Sequence, residues 1–271
     1  QLSAQSSDDC PLVWDPGAQY YNLPSGFNQQ SQTAFVKIYF HVFQEDDGSG
    51  GLSTIQIDQA KTLLDNSFNP HGIYFIYDCV IDFIPNTYLY ENGLEKVKVY
   101  PNSPSDSGPF YYPNTCNVSS INSHDDGLDI YILSSQNGVH GAAGLAGSIP
   151  SDWLVVGGSW EPSGSPGVKI PNALSATLPH EVGHCLGLMH TYTGNIKNVK
   201  MFCPVAPVTE SYFDCTKTAH SFSVCAEFVN GNNCEDCGDR ICDTPADWYE
   251  YSCNLESYPY RILSKFDCYD P

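Results

Sequence analysis

The chain is short of positive charge: 11 Lys plus Arg face 31 Asp plus Glu, for a formal net charge of −20. Binding nucleic-acid phosphates needs a basic face, so this balance excludes nucleic acid as a partner. Long apolar runs are missing as well. No uninterrupted stretch is long enough to cross a bilayer, which excludes a helical membrane span. No leader-like segment follows Gln1, and the polar start reads as a mature or trimmed N-terminus. There are no internal repeats. Methionine is confined to Met189 and Met201, and histidine to 8 residues in 271, so a close grouping of histidines is informative.

What is present describes a folded protein. Hydrophobic residues make up 41% and aromatics 13%, the balance of a globular chain rather than a disordered one. The length suffices for one large domain or two closely packed subdomains. The acid excess has two readings: solubility in an extracellular or salty medium, or carboxylates gathered around calcium, which needs hard oxygen ligands. Cysteine is abundant at 12 residues, eight of them between Cys185 and Cys253 and another at Cys268. Thiols at that density belong in an oxidising compartment, so disulfides and secretion are expected. A structural zinc site at Cys234, Cys237 and Cys242 is the competing reading, although no second well-spaced Cys/His pair accompanies it. Asn117-Val118-Ser119 is a glycosylation sequon, meaningful only in a eukaryotic secretory host.

Three segments can be ordered along the chain. Residues 1–33 are polar and read as an extended arm, with Cys10 as a tether. Residues 34–190 hold the regular patterns. Ala34 to Gln44 (AFVKIYFHVFQ) alternates and is rich in β-formers, which predicts a strand. Ser53-Thr54-Ile55-Gln56 resembles a capping box, and Ile57, Ala60, Leu64 and Phe68 then give one apolar stripe, predicting a helix to about Asn69. Ile73 to Ile84 reads as a second strand and Leu128 to Leu133 as a third, a βαβ start that favours a mixed sheet backed by a helix. Residues 101–127 read as loop. Trp153-Leu154-Val155-Val156 reads as a short edge strand, and Pro171 to Leu188 as a second long helix. From Thr191 to Pro271 turn residues and cysteines dominate, which predicts an irregular, disulfide-held C-terminal subdomain with little sheet.

The chemistry concentrates in His180-Glu181-Val182-Gly183-His184-Cys185-Leu186-Gly187-Leu188-Met189-His190. Helical residues four apart lie one above the other, so His180 and His184 present two imidazoles to one point. Glu181 sits one position round, where a base can reach a water at the metal's open position. Glycine tolerates left-handed geometry, so Gly187 can end the helix and bring His190 back beneath the pair. Three histidines and a water give zinc the four-coordinate arrangement of a catalytic site. Pro179 requires that the helix either start close to it or kink there. Cys185 points about 100° away from His184 and reads as a disulfide partner or core residue.

This segment resembles the zinc motif of the metzincin metallopeptidases at every metal and base position. With Thr191-Tyr192 after the third histidine, it looks most like the pappalysin family. The stretch Gly238-Asp239-Arg240-Ile241-Cys242-Asp243-Thr244-Pro245-Ala246-Asp247 is similar to that family's GDxxxDTPA segment. The resemblance covers roughly residues 34–270. It implies an α/β (α+β) fold, with a twisted, mostly parallel sheet, a backing helix and an active-site helix, and an irregular C-terminal subdomain across the active-site cleft. It also implies a calcium site with Asp239, the Cys242 carbonyl and Thr244 as ligands, and a substrate that pairs with the edge strand Trp153, Leu154, Val155 and Val156. Without the family, Asp239 and Asp243 read as ordinary turn residues.

The expected activity is that of a secreted zinc-dependent endopeptidase acting on protein or peptide substrates, with Glu181 as general base. The chain departs from the pattern in one respect. The methionine turn of metzincins matches neither Met189 nor Met201, and would be expected shortly beyond Pro271. That leaves an inactive zinc-binding structural or interaction module of the same fold as the alternative. A latent enzyme in which Cys10 ligates the zinc is a third reading, although the even cysteine count favours disulfide pairing for Cys10.

Overall fold

Alternation along Ala34–Gln44 sorts one strand into two chemically different faces, and the fold is assembled on both. The computed structural model describes residues 33–100, 110–134, 144–146, 150–160, 165, 167–190, 208–213 and 215–224. In chain order the elements are β1 (Ala34–Gln44), α1 (Thr54–Phe68), β2 (Ile73–Ile76), β3 (Ile81–Pro85), α2 (Thr87–Asn92), β4 (Val97–Lys98) and β5 (Phe110–Tyr111). There follow α3 (Thr115–Ser119), β6 (Leu128–Ile132), β7 (Gly144–Ala146), β8 (Trp153–Val156), β9 (Ser159–Trp160), β10 (Ile170–Pro171), α4 (Thr177–Cys185), β11 (Val208–Phe213) and β12 (Ala219–Val224).

The main sheet runs β2-β1-β6-β8-β7, with β3 also paired to β1. Every pairing is parallel except β7 with β8, so the mostly parallel α/β sheet expected from the sequence is present. On one face Ile38, Phe40 and Val42 of β1 meet Leu128, Ile130 and Ile132 of β6 and Leu154 and Val156 of β8. Ile57, Ala60, Leu64 and Phe68 of α1 cover them, the stripe that the spacing predicts. Gln56 Oε1 accepts the Ser53 backbone N–H at 2.9 Å, closing the capping box at the helix start. Each large apolar side chain buried in this layer contributes about 1.5–3 kcal/mol. On the other face Phe43, Ile84, Tyr131, Leu133 and Val155 form a second core with Leu89 and Tyr90 of α2 and Val118 of α3.

Four expectations are corrected. Ile73 to Ile84 is two strands, not one: Val80 N–H bonds Asp78 Oδ1 at 3.0 Å and Cys79 takes φ +65°, so the chain turns between β2 and β3. Both pieces pair with β1, β2 along Ala34–Lys37 and β3 along Phe40–Gln44. The helix expected over Pro171 to Leu188 is shorter. Asn172–Leu174 form a 3-10 turn, Ser175 is extended, and α4 starts only at Thr177. A helix running in from Pro171 would place Pro179 in its interior, where the ring clashes with the preceding turn. Residues 101–127, read as loop, contain β5 and α3.

The fourth correction concerns Trp153, Leu154, Val155 and Val156. β8 is not the sheet edge, because β6 pairs with one side of it and β7 with the other. Leu154, Val155 and Val156 are fully buried, which is the continuous apolar character of an interior parallel strand. Among the described residues the edge on that side is β7, whose Gly and Ala give no alternating signal.

The chain divides into two compact units, Gln1–Gly187 with Tyr212–Ala219, and Leu188–Ser211 with His220–Pro271. A disulfide within the first unit joins Cys116 of α3 to Cys215, with Cα atoms 5.8 Å apart. In the second unit the described residues are 188–190 and the greater part of the two-stranded sheet of β11 and β12.

Candidate metal centre

The geometry of α4 follows from its apolar residues. Leu178, Val182 and Cys185 recur at four and three, and face the sheet. Measured round the helix at about 100° per residue, Glu181 lies next to that stripe, His184 further round, and His180 furthest. The burial agrees with this order: Glu181 is 0% exposed, His184 3%, and His180 is exposed. Pro179 occupies the first turn, where its missing N–H would have no helical partner. The first regular bond beyond it is His180 N–H to the Ala176 carbonyl at 3.1 Å.

Gly187 ends the helix as its composition suggests. Its φ is +98°, and its N–H returns to the His184 carbonyl at 2.9 Å. The turn brings His190 in, buried at 8% exposure. The ligand nitrogens of His180, His184 and His190 all lie within 4.8 Å of one another, a group able to hold a metal ion. His180 Nε2 and His184 Nε2 are 3.1 Å apart, with their rings perpendicular at 86°. Two nitrogens bound tetrahedrally to zinc at about 2.0–2.1 Å would be roughly 3.3 Å apart, so the donor set and its spacing fit that ion. Crowding by the surrounding protein also lowers the His180 pKa, which favours the neutral ring that a metal needs.

Cys185 is a core residue rather than a disulfide partner. It is a buried free thiol whose Sγ faces the Trp153 carbonyl at 3.4 Å, and burial raises its pKa well above the usual thiol value. Trp153, Leu154, Val155 and Val156 lie beside α4, but so does β7, the strand that occupies the edge. Asp239, Cys242, Thr244 and Cys10 lie outside the described residues.

A second group escapes a reading of the sequence. His41 of β1, His124 of the loop before β6, and Asp129 of β6 offer ligand atoms within 4.8 Å of one another. The only sequence signal is a charged or polar residue inside each of two β-rich runs, AFVKIYFHVFQ and LDIYIL. Neither a protein-family model nor a curated protein matches the chain.

Proposed function

We propose that the chain is a secreted zinc-dependent endopeptidase. The observation that carries this reading is the meeting of His180, His184 and His190 around one point, with Glu181 buried on the same helix. Bound there, zinc would supply Lewis acidity, lowering the pKa of water towards roughly 7 and polarising a peptide carbonyl.

The residues of the chain do the rest. His180, His184 and His190 would hold the metal as neutral rings, each giving it one nitrogen lone pair. Glu181 takes the proton of the attacking water on its carboxylate as the water oxygen bonds to the scissile carbonyl carbon. It then gives that proton to the leaving amine nitrogen, so one carboxylate serves as base and then as acid. An extended substrate strand adds to the sheet at β7, whose far side no strand pairs among the described residues. Secretion accords with the Cys116–Cys215 disulfide, since such bonds persist in oxidising compartments.

Cleavage of a broad peptide library by the full chain, read by mass spectrometry with and without a zinc chelator, tests the reading. The expected outcome is chelator-sensitive cleavage that falls about 10²–10⁴-fold in Glu181→Gln, with zinc content unchanged. Cleavage unaffected by that substitution overturns the mechanism. Zinc bound with no cleavage identifies a binding module instead of an enzyme.

A further inference from the structure

The face of the sheet opposite α1 and α4 carries a polar network that the proposed peptidase does not use. His41 lies in the middle of β1 at 0% exposure, with a carboxylate against each ring nitrogen. Its Nε2 is 2.9 Å from Asp129 Oδ1, and its Nδ1 is 3.1 Å from Asp82 Oδ2 on the neighbouring β3. Asp129 Oδ1 is also 2.7 Å from His124 Nδ1, while Asp129 Oδ2 accepts the His124 backbone N–H at 2.8 Å. Two imidazoles therefore converge on a single carboxylate oxygen, in a setting where Asp129 is 2% exposed.

The surroundings hold each member in place. Asn122 Nδ2 donates to Asp82 Oδ2 at 2.7 Å. The Tyr39 ring stacks flat on His124, with centroids 3.4 Å apart, and Tyr131 stacks on His41. Tyr39 is fixed in turn by donating its hydroxyl to Asp126 Oδ1 at 2.6 Å. Lys37, on the same strand as His41, is paired with Asp126 at 2.7 Å, which offsets its repulsion of a second cation. Buried charge of this kind is costly unless it is fully paired, and apolar side chains would serve the sheet better.

We propose that His41 Nε2, His124 Nδ1 and Asp129 Oδ1 form a second metal site, taking a divalent transition ion of the zinc class. Two imidazoles and a carboxylate suit such an ion. Asp82 supplies the outer partner that a metal-bound histidine needs: with the ion on Nε2, the proton of His41 sits on Nδ1 and faces the Asp82 carboxylate. No proton is lost from a neutral ring, because each keeps its single proton on the nitrogen away from the ion. His124, whose side chain is 35% exposed, gives the route by which the ion enters. This site shares no residue with the α4 histidines, so it stands or falls independently of the proposed peptidase activity.

Zinc stoichiometry of the full chain, measured by equilibrium dialysis and mass-spectrometric metal analysis, tests the proposal. Two tightly held ions are expected in the unaltered chain. One should remain in His124→Gln, one in the His180→Ala/His184→Ala pair, and none when all three changes are combined. Asp82→Asn, which touches no ligand atom, should weaken the second ion by about 10–100-fold. His124 is partly exposed on a loop, so its substitution does not threaten the fold, and circular dichroism checks this directly. The proposal is overturned if His124→Gln leaves zinc content unchanged, or if the His180→Ala/His184→Ala pair holds no zinc. If the unaltered chain holds a single ion, and that ion survives loss of His180 and His184 but not of His124, the metal basis of the peptidase is removed instead.

Discussion

The two faces of the central sheet treat histidine in opposite ways. Beside α4, three histidines within eleven residues of chain are brought together by one helix and one glycine turn. On the other face, His41, Asp82, His124 and Asp129 come from three strands and a loop, and meet only because β3, β1 and β6 pair in one register. The first arrangement is local and needs little of the fold. The second depends on the parallel sheet, since a shift of one residue in β1 would turn His41 into the apolar layer and Phe40 and Val42 out of it.

The difference can be broken at several points. The largest expected effect is the loss of turnover in Glu181→Gln, which leaves the opposite face and the zinc untouched. Next comes the disulfide that anchors α3 on the far face. Closing a loop of 99 residues is worth about 4–5 kcal/mol in the unfolded-chain account, so Cys116→Ala/Cys215→Ala should lose stability of that order in urea unfolding.

A smaller effect separates the faces by pH. Burial alone would raise the Asp129 pKa, but hydrogen bonds from His41 and from the His124 backbone and ring outweigh it and lower it. Ionised Asp129 therefore stabilises the fold above its unfolded value of about 3.9, and this contribution is lost as pH falls through the lower folded value. In metal-free protein, Asp129→Asn should flatten the acid limb of the stability profile between those values. An unchanged acid limb would show that Asp129 contributes nothing to it. The smallest effect is at Gly187→Ala. A Cβ there meets nothing within 4 Å, so only the left-handed φ of +98° resists it, at about 1–2 kcal/mol. Zinc affinity at His190 should fall more than stability does, which competition with a chromogenic chelator can measure.

Much of the fold was legible because its signals are periodic. β1 alternates, α1 repeats at three and four, and both lie where those periods place them. The failures also have physical causes. β7 is Gly-Leu-Ala and offers no pattern, so β8 looked like an edge although it lies inside the sheet. The break between β2 and β3 depends on one side-chain bond from Asp78 and one left-handed cysteine, neither of which shows in hydrophobicity. α4 is shorter than its apolar spacing suggests because Pro179 must sit in a first turn.

The spacing of His180, His184 and His190, the place of Glu181 beside them on the helix and the helix end at Gly187 were all determined by the sequence alone. Helix geometry is local, and four residues are one turn wherever the helix lies. The His41, His124 and Asp129 group, and the identity of the sheet edge, were decided only by tertiary structure. Strand order and register bring His41 and Asp129 together from 88 positions apart, and no local period encodes which strands become neighbours.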